Sequence, residues 1–131
     1  MKGGAGRVWR GGKILGDPTD QARHEETKRK AVICGKGGTV SFMDRSTLYS
    51  KELFDKAFEI AERDNILCQP KTVVAGGNDS GVIHKSRGGV KVLTVSIPCR
   101  YLHSPSCVIK YEDAKESLRL VKALAEDFAQ C

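Results

Sequence analysis

The stretch Val90-Lys91-Val92-Leu93-Thr94-Val95-Ser96-Ile97-Pro98 decides the fold class. Val90, Val92, Leu93, Val95 and Ile97 make it the best strand pattern in the chain, with Pro98 predicted to close it. Upstream, Gly88-Gly89 interrupts the pattern, and a short helix is predicted from Gly81 to about Arg87. Before that lies a second strand candidate, Thr72-Val73-Val74-Ala75, running into the turn Gly76-Gly77-Asn78-Asp79-Ser80-Gly81. Further upstream, Ser50 reads as an N-cap. Behind it Leu53, Phe54, Ala57, Phe58 and Ala61 recur at three- and four-residue spacing, so a helix over 50–64 is expected, ended by Asn65. Thr39 to Met43 is a short strand candidate. Downstream of Pro98, a last helix is expected from Glu112 to Phe128, with Ala114, Leu118, Val121, Ala125 and Phe128 on one face. Strand and helix thus alternate three times, which predicts an α/β architecture with a largely parallel sheet.

Residues 1–30 carry no such periodicity. Five glycines punctuate the first twelve residues, Asp17-Pro18 marks a turn, and 20–30 is nearly all polar, so irregular structure is expected there. The net charge of +6 is concentrated in the same region, where residues 1–33 hold eight Lys/Arg against four Asp/Glu. Such a segment could attract nucleic acid, but no aromatic–basic interleaving and no nucleic-acid motif accompanies it. A solvated basic segment is the expectation, without nucleic acid as a partner. No apolar run approaches the roughly 18–20 residues of a membrane span, so no membrane association is expected. The five cysteines form no CxxC pair, which argues for idle thiols in a reducing, cytoplasmic compartment and against a cysteine-built zinc site.

Three segments could carry chemistry. In Gly76 to Gly81, glycines between a strand and a helix permit close backbone approach, and free N–H groups at a helix start can hold an anion or a polarised carbonyl. A capped tight turn is the plainer reading. No Lys-Ser/Thr follows, so this is not a phosphate loop. His103 in Ile97-Pro98-Cys99-Arg100-Tyr101-Leu102-His103-Ser104 lies just past the end of the best strand, where α/β proteins place ligands, and a neutral imidazole there can bind zinc. A loop histidine of no special role is the alternative. His24-Glu25-Glu26 sits in unpatterned charged sequence and reads as solvated, and His84 as a packing or surface residue.

Taken together, Gly76 to His84 (GGNDSGVIH) and Val95 to Pro105 (VSIPCRYLHSP) resemble the tetrahedral, or glutamyl/deblocking, aminopeptidases, metallopeptidase family forty-two, some of whose members are labelled cellulase or endoglucanase. Gly35-Lys36-Gly37-Gly38 and Phe42-Met43-Asp44-Arg45-Ser46 resemble two further motifs of that family, so the likeness covers about residues 35–128. Asn78 and Ser80 stand where the family usually has Thr and Ala. The resemblance implies a partial three-layer sheet of the zinc-aminopeptidase type (phosphorylase/hydrolase-like), truncated on its N-terminal side. Residues 1–34 would be an irregular basic segment and residues 35–131 the C-terminal part of the catalytic domain. It implies two catalytic zinc or cobalt ions, a peptide substrate and a homo-oligomeric parent, with His103 as one metal ligand and Gly76, Gly77, Asn78 and Asp79 shaping the substrate site. The family's remaining strand Asp is expected near position 15, which is Leu15, with Asp17 as the candidate equivalent in a Gly-Asp-Pro turn. The general-base Glu and the other ligands belong upstream of anything in this sequence. The expectation is a fragment of a dinuclear-metal aminopeptidase that is inactive alone. The alternative is a non-catalytic, self-associating interaction module.

Overall fold

A computed structural model describes residues 13–16, 32–71 and 73–129. Its elements are β1 (Lys13–Gly16), β2 (Gly38–Ser41), α1 (Lys51–Arg63), β3 (Cys68–Lys71), α2 (Ser80–His84), a 3-10 turn at Ser86–Gly88, β4 (Thr94–Arg100), β5 (Val108–Ile109) and α3 (Tyr111–Ala129). The strands form one sheet in the order β1-β4-β2-β3, with β5 added to β4. Both long helices lie against it, α3 across β2, β3 and β4 and α1 beside α3 and β2. The chain is thus α/β and partial. Of the three layers expected, the described residues build the sheet and one helical layer.

The helix at 50–64 forms as its pattern predicts. Ser50 caps it, accepting the Leu53 N–H at 3.4 Å, and Ala57, Ile60 and Ala61 are buried. Asn65, at φ 50°, ends it in the left-handed region that Asn tolerates better than most residues. The core joins this face to the sheet and to α3 through Val40, Val95, Ile60, Ile66, Leu120 and Leu124. Burying each such side chain contributes about 1.5–3 kcal/mol. Residues that alternate with Val40 and Val95 point to the opposite face of the sheet. That face is polar, with Thr39, Ser41, Thr94 and Ser96 all buried.

Several expectations fail, each for a packing reason. The sheet is mixed, not largely parallel. β1 runs parallel to β4 and β3 to β2, but β2 and β4 are antiparallel. A parallel return needs a full crossover, usually helical, and the residues between β3 and β4 build the glycine turn and the short α2 instead. The third strand is Cys68–Lys71, not Thr72–Ala75. Val73 and Val74 are in no strand and are 40% and 51% exposed. Pairing with β2 overrides the β-propensity of the valines, and Pro70 is tolerated because β3 is an edge strand. Strand β2 stops at Ser41, so Phe42 and Met43 fall outside it.

Strand β4 runs Thr94–Arg100, so Pro98 lies buried inside it and does not close it. The register with β2 ends at Ser96 and that with β5 begins at Cys99, so neither antiparallel neighbour is in register with the proline. Val90 to Leu93 stay outside the strand. Val92 is nevertheless buried, and its carbonyl accepts the Ser50 N–H. On α3 the buried stripe is Asp113, Ser117, Leu120, Ala123 and Leu124, while Leu118 is 67% exposed. The predicted face of Ala114, Leu118, Val121, Ala125 and Phe128 is rotated from it, because α3 carries small and polar residues where it meets the Gly35–Gly38 loop. Finally, Lys13–Gly16 forms a strand in a region expected to be irregular, because pairing with β4 from Ser96 to Cys99 supplies order that its composition does not.

Candidate functional site

The candidate site lies at the C-terminal ends of β4 and β1. The register pairs Gly16, the last residue of β1, with Cys99, one residue before β4 ends at Arg100. Beyond Arg100, Tyr101 and His103 both take positive φ, 61° and 63°. Two non-glycine residues in the left-handed region so close together bend the loop sharply. Ser104 holds the bend: its N–H donates to the Tyr101 carbonyl at 3.2 Å, and its Oγ lies 2.6 Å from the carbonyl oxygens of Tyr101 and Ser106. His103 is exposed on this loop. Asp17 and His24-Glu25-Glu26 lie outside the described residues. Among the described residues no three His, Cys, Asp or Glu side chains gather in a way that could hold a metal ion. An exposed imidazole such as that of His103 is chemically able to act as one metal donor, and among the described residues no complete donor set surrounds it.

The Gly76–Gly81 turn is held from one side by a buried carboxylate that the sequence motifs do not single out for a role. Asp44 is 3% exposed. Its Oδ1 accepts the N–H groups of Ser46 and Thr47, each at 2.8 Å, and the Ser46 hydroxyl at 2.9 Å. Its Oδ2 accepts the Tyr49 hydroxyl at 2.6 Å and lies 3.4 Å from Asn78 Nδ2. Asn78 Nδ2 also donates to the Tyr49 oxygen at 2.9 Å, Asn78 Oδ1 accepts the Ser80 N–H at 2.8 Å, and Ser80 Oγ lies 3.0 Å from Thr94 Oγ1 on β4. The Arg45 N–H donates to the Gly76 carbonyl at 3.0 Å. Gly76, Gly77, Asn78 and Asp79 are thus anchored to the 44–49 turn and to Thr94, the first residue of β4, whereas His103 follows its last residue, Arg100, so the glycine turn and the imidazole loop are tied to opposite ends of that strand. Asp79, at the start of α2, makes no side-chain capping bond, while Asn78 Oδ1 accepts the Ser80 N–H. His84 is structural: its Nδ1 is 3.1 Å from the Val90 carbonyl and closes the 85–90 loop.

Burial would raise the Asp44 pKa, but the hydrogen bonds from Tyr49, Ser46 and Thr47 outweigh it and hold the carboxyl below its ordinary 3.8. Burial and the bond to Asp44 raise Tyr49 above its ordinary 10.0. The signs follow by linkage. Stability from Asp44 is present above the unfolded carboxyl value and is lost as pH falls through the depressed folded value. Stability from Tyr49 is present below about 10 and is lost as pH rises through the raised folded value. Urea midpoints are accordingly expected to fall below pH about 4 and above pH about 10, and Tyr49→Phe should blunt the alkaline loss.

Cys68 and Cys107 carry free thiols, and burial pushes Cys68 up to about 11. Tyr49 and Thr94 had no sequence signal, because their importance is contact with Asp44 and Asn78 across the fold.

Comparison with known proteins bears on these features together. The family profile of the M42 glutamyl aminopeptidases matches residues 15–120, so the likeness begins upstream of the glycine-lysine motif and takes in the end of β1 and Asp17. A protein of Acetivibrio thermocellus named as an aminopeptidase is 35% identical over 108 residues, which are 82% of this chain and 33% of its own. The TET1 peptidase of Pyrococcus horikoshii, described as able to assemble into a tetrahedron or a large octahedral shell, superposes with a TM-score of 0.65 at 34% identity, covering 72% of this chain and 27% of that one. The TET aminopeptidase of the marine sediment archaeon Thaumarchaeota archaeon SCGC AB-539-E09 gives a TM-score of 0.70 at 29% identity, over 72% of this chain and 27% of that one. The chain spans about a third of the length of the curated relative it matches.

Proposed function

The chain belongs to the M42 glutamyl aminopeptidase family of metallopeptidases, and from that premise we propose that it is the C-terminal part of a dinuclear-metal aminopeptidase catalytic domain, contributing ligands but inactive alone. The observation that carries this reading is the register of Gly16 with Cys99 in adjacent parallel strands. Asp17 follows Gly16 by one peptide unit, about 3.8 Å, and His103 follows the neighbouring strand. Ligands in open α/β sheets gather outside the carboxyl ends of such strands.

In this reading His103 donates through a neutral ring nitrogen and Asp17 through its carboxylate. Bound metal, zinc or cobalt as a pair, would supply Lewis acidity toward the scissile carbonyl and activate water. The bent loop from Tyr101 to Ser104 sets the backbone that carries the imidazole, and the Gly76–Asp79 turn, anchored at the other end of β4, would offer a more distant part of the peptide a wall with little side-chain bulk. The general-base carboxylate and the remaining ligands come from outside this chain. A catalytic zinc needs about three protein ligands besides water, so one imidazole and one carboxylate do not make a working site. A cytoplasmic location belongs to the same proposal. Among the described residues, no helix is long and apolar enough to cross a membrane.

The test is reassembly. The isolated chain with zinc or cobalt is expected to release no N-terminal residue above background. Supplied with the upstream portion of a relative, it should turn over peptide, and His103→Ala should lower that turnover at least about a hundredfold. Turnover by the isolated chain that His103→Ala abolishes would overturn the inactive-part reading. Indifference of the reassembled enzyme to that substitution would overturn the ligand assignment.

A second reading, self-association, rests on exposed apolar side chains: Val108, Tyr111 and Leu118 are 56%, 77% and 67% exposed. Light scattering decides it. A clean 14.3 kDa monomer that melts cooperatively would exclude it.

A further inference from the structure

We propose that Asp44 is the positioning residue for the Gly76–Gly81 turn, fixing it beside the start of β4 through Tyr49 and Asn78 by accepting at both carboxylate oxygens. The proposal rests on the reading of that turn as one wall of the peptide site. Five donors converge on Asp44. Three reach Oδ1, from the Ser46 amide, the Ser46 hydroxyl and the Thr47 amide, and two approach Oδ2, from Tyr49 and Asn78. An ionised carboxylate accepts at both oxygens and donates nothing. The asparagine side chain has the same shape but carries an NH₂ on one arm. Turned toward the Oδ1 side, that NH₂ would face three donors; turned toward the Oδ2 side, it would face the Asn78 NH₂ and could bond the Tyr49 oxygen only by reversing the hydroxyl that now donates to the carboxylate. Asp44→Asn is therefore not a conservative change here.

The carboxylate sets the turn's position twice over. By bonds, the path runs from Asp44 to the Tyr49 hydroxyl, from there to Asn78, and through Ser80 to Thr94 on β4. By shape, it holds Ser46 in place as the floor under the turn. A Cβ built on Gly77 would lie 3.0 Å from Ser46 Oγ, and one on Gly81 would lie 2.8 Å from it and 3.3 Å from Thr47 Oγ1, so both positions are tight while the 44–47 turn stays in place. Asn78 and Ser80, which stand where the resembled family usually has Thr and Ala, each give polar atoms to this path. The carboxylate thus governs a segment more than thirty residues downstream that it meets only in the folded chain.

Amide hydrogen exchange on the 131-residue chain reads the arrangement residue by residue. The Arg45 amide reports docking, because it donates to Gly76, and the Ser80 and Gly81 amides report the turn itself through their bonds to Asn78. The Ser46 and Thr47 amides report Asp44's own turn. The Gly35 and Gly37 amides, bonded to Asp113, report the rest of the fold. With Asn78→Ala, exchange at Arg45 and Gly81 should rise at least about tenfold, while Ser46 and Thr47 stay within about twofold. With Asp44→Asn, all four should rise while Gly35 and Gly37 hold.

Unchanged protection at Arg45 and Gly81 in Asp44→Asn overturns the proposal, as does an equal rise at Gly35 and Gly37. If Asp44→Asn does not fold, Tyr49→Phe substitutes for it. Loosening of Arg45 and Gly81 with Gly35 and Gly37 spared supports the proposal, and unchanged values overturn it. In the reassembled enzyme Asn78→Ala should raise KM more than it lowers kcat. A loosened turn with an unaltered KM would reject the peptide-wall reading and leave the positioning role standing.

Discussion

A Gly37→Ala protein is expected to show no cooperative unfolding transition. Gly37 sits at φ 79°, and a Cβ there would lie 1.9 Å from the Leu67 carbonyl oxygen and 2.4 Å from its carbon. The left-handed conformation alone costs a non-glycine residue about 1–2 kcal/mol. The overlap is worse, because the obstruction is backbone and cannot rotate aside. Leu67 would have to move. Its carbonyl accepts the Gly38 N–H at 3.2 Å, and the next residue, Cys68, is in register with Gly38 at the start of the β2–β3 pairing. Relieving the clash therefore opens the edge of the sheet. The combined cost should exceed about 4 kcal/mol, a large share of the 5–15 kcal/mol that holds a typical domain folded. Gly76→Ala is the matched comparison: φ is 67°, yet nothing lies within 4 Å of the added Cβ, so its cost should stay near 1–2 kcal/mol. Circular dichroism melts of the two variants settle the contrast. A Gly37→Ala protein that melts within a few degrees of wild type would show that Leu67 yields easily.

Asp113→Ala should be nearly as damaging. Asp113, in the first turn of α3, is 1% exposed, and its carboxylate accepts the Gly35 N–H at 2.7 Å and the Gly37 N–H at 2.8 Å. It plugs the loop's amides the way a bound anion fills a nest of N–H groups. Truncation leaves two amide donors without a partner, each worth about 1–3 kcal/mol, and a loss of about 2–5 kcal/mol is expected. Urea denaturation should show it as a lower midpoint with the slope unchanged. Asp113→Asn keeps one acceptor and turns an NH₂ toward the other amide, so it should fall between wild type and Asp113→Ala. Equality of Asp113→Ala with wild type would mean that water replaces the carboxylate at no cost.

Both substitutions act through the same loop. Gly35 to Gly38 joins α3 to β2, and β2 carries β4 in register up to Ser96. A shift there would propagate to the strand whose far end holds His103. The Asp44 hub acts instead on the Gly76–Gly81 turn. The two buried carboxylates thus brace opposite ends of β2, one before it and one after it.

What the sequence determined by itself was the alternation of elements, the helix capped at Ser50, and the pairing of the glycine turn with the tyrosine–histidine segment that marks the family. These are local: capping needs neighbours three residues away, amphipathic spacing repeats along one helix, and a motif is a run of residues in order. Tertiary structure decided the rest. It set β4 antiparallel to β2, drew Lys13–Gly16 into the sheet beside β4, and made Cys68–Lys71 a strand in place of the valines after it. It also gave Asp44 its contact with Asn78, 34 residues on, and Asp113 its two amide partners, 76 and 78 residues back in the chain. Strand direction and hydrogen-bond partners between distant residues depend on which surfaces meet, and no local period encodes that.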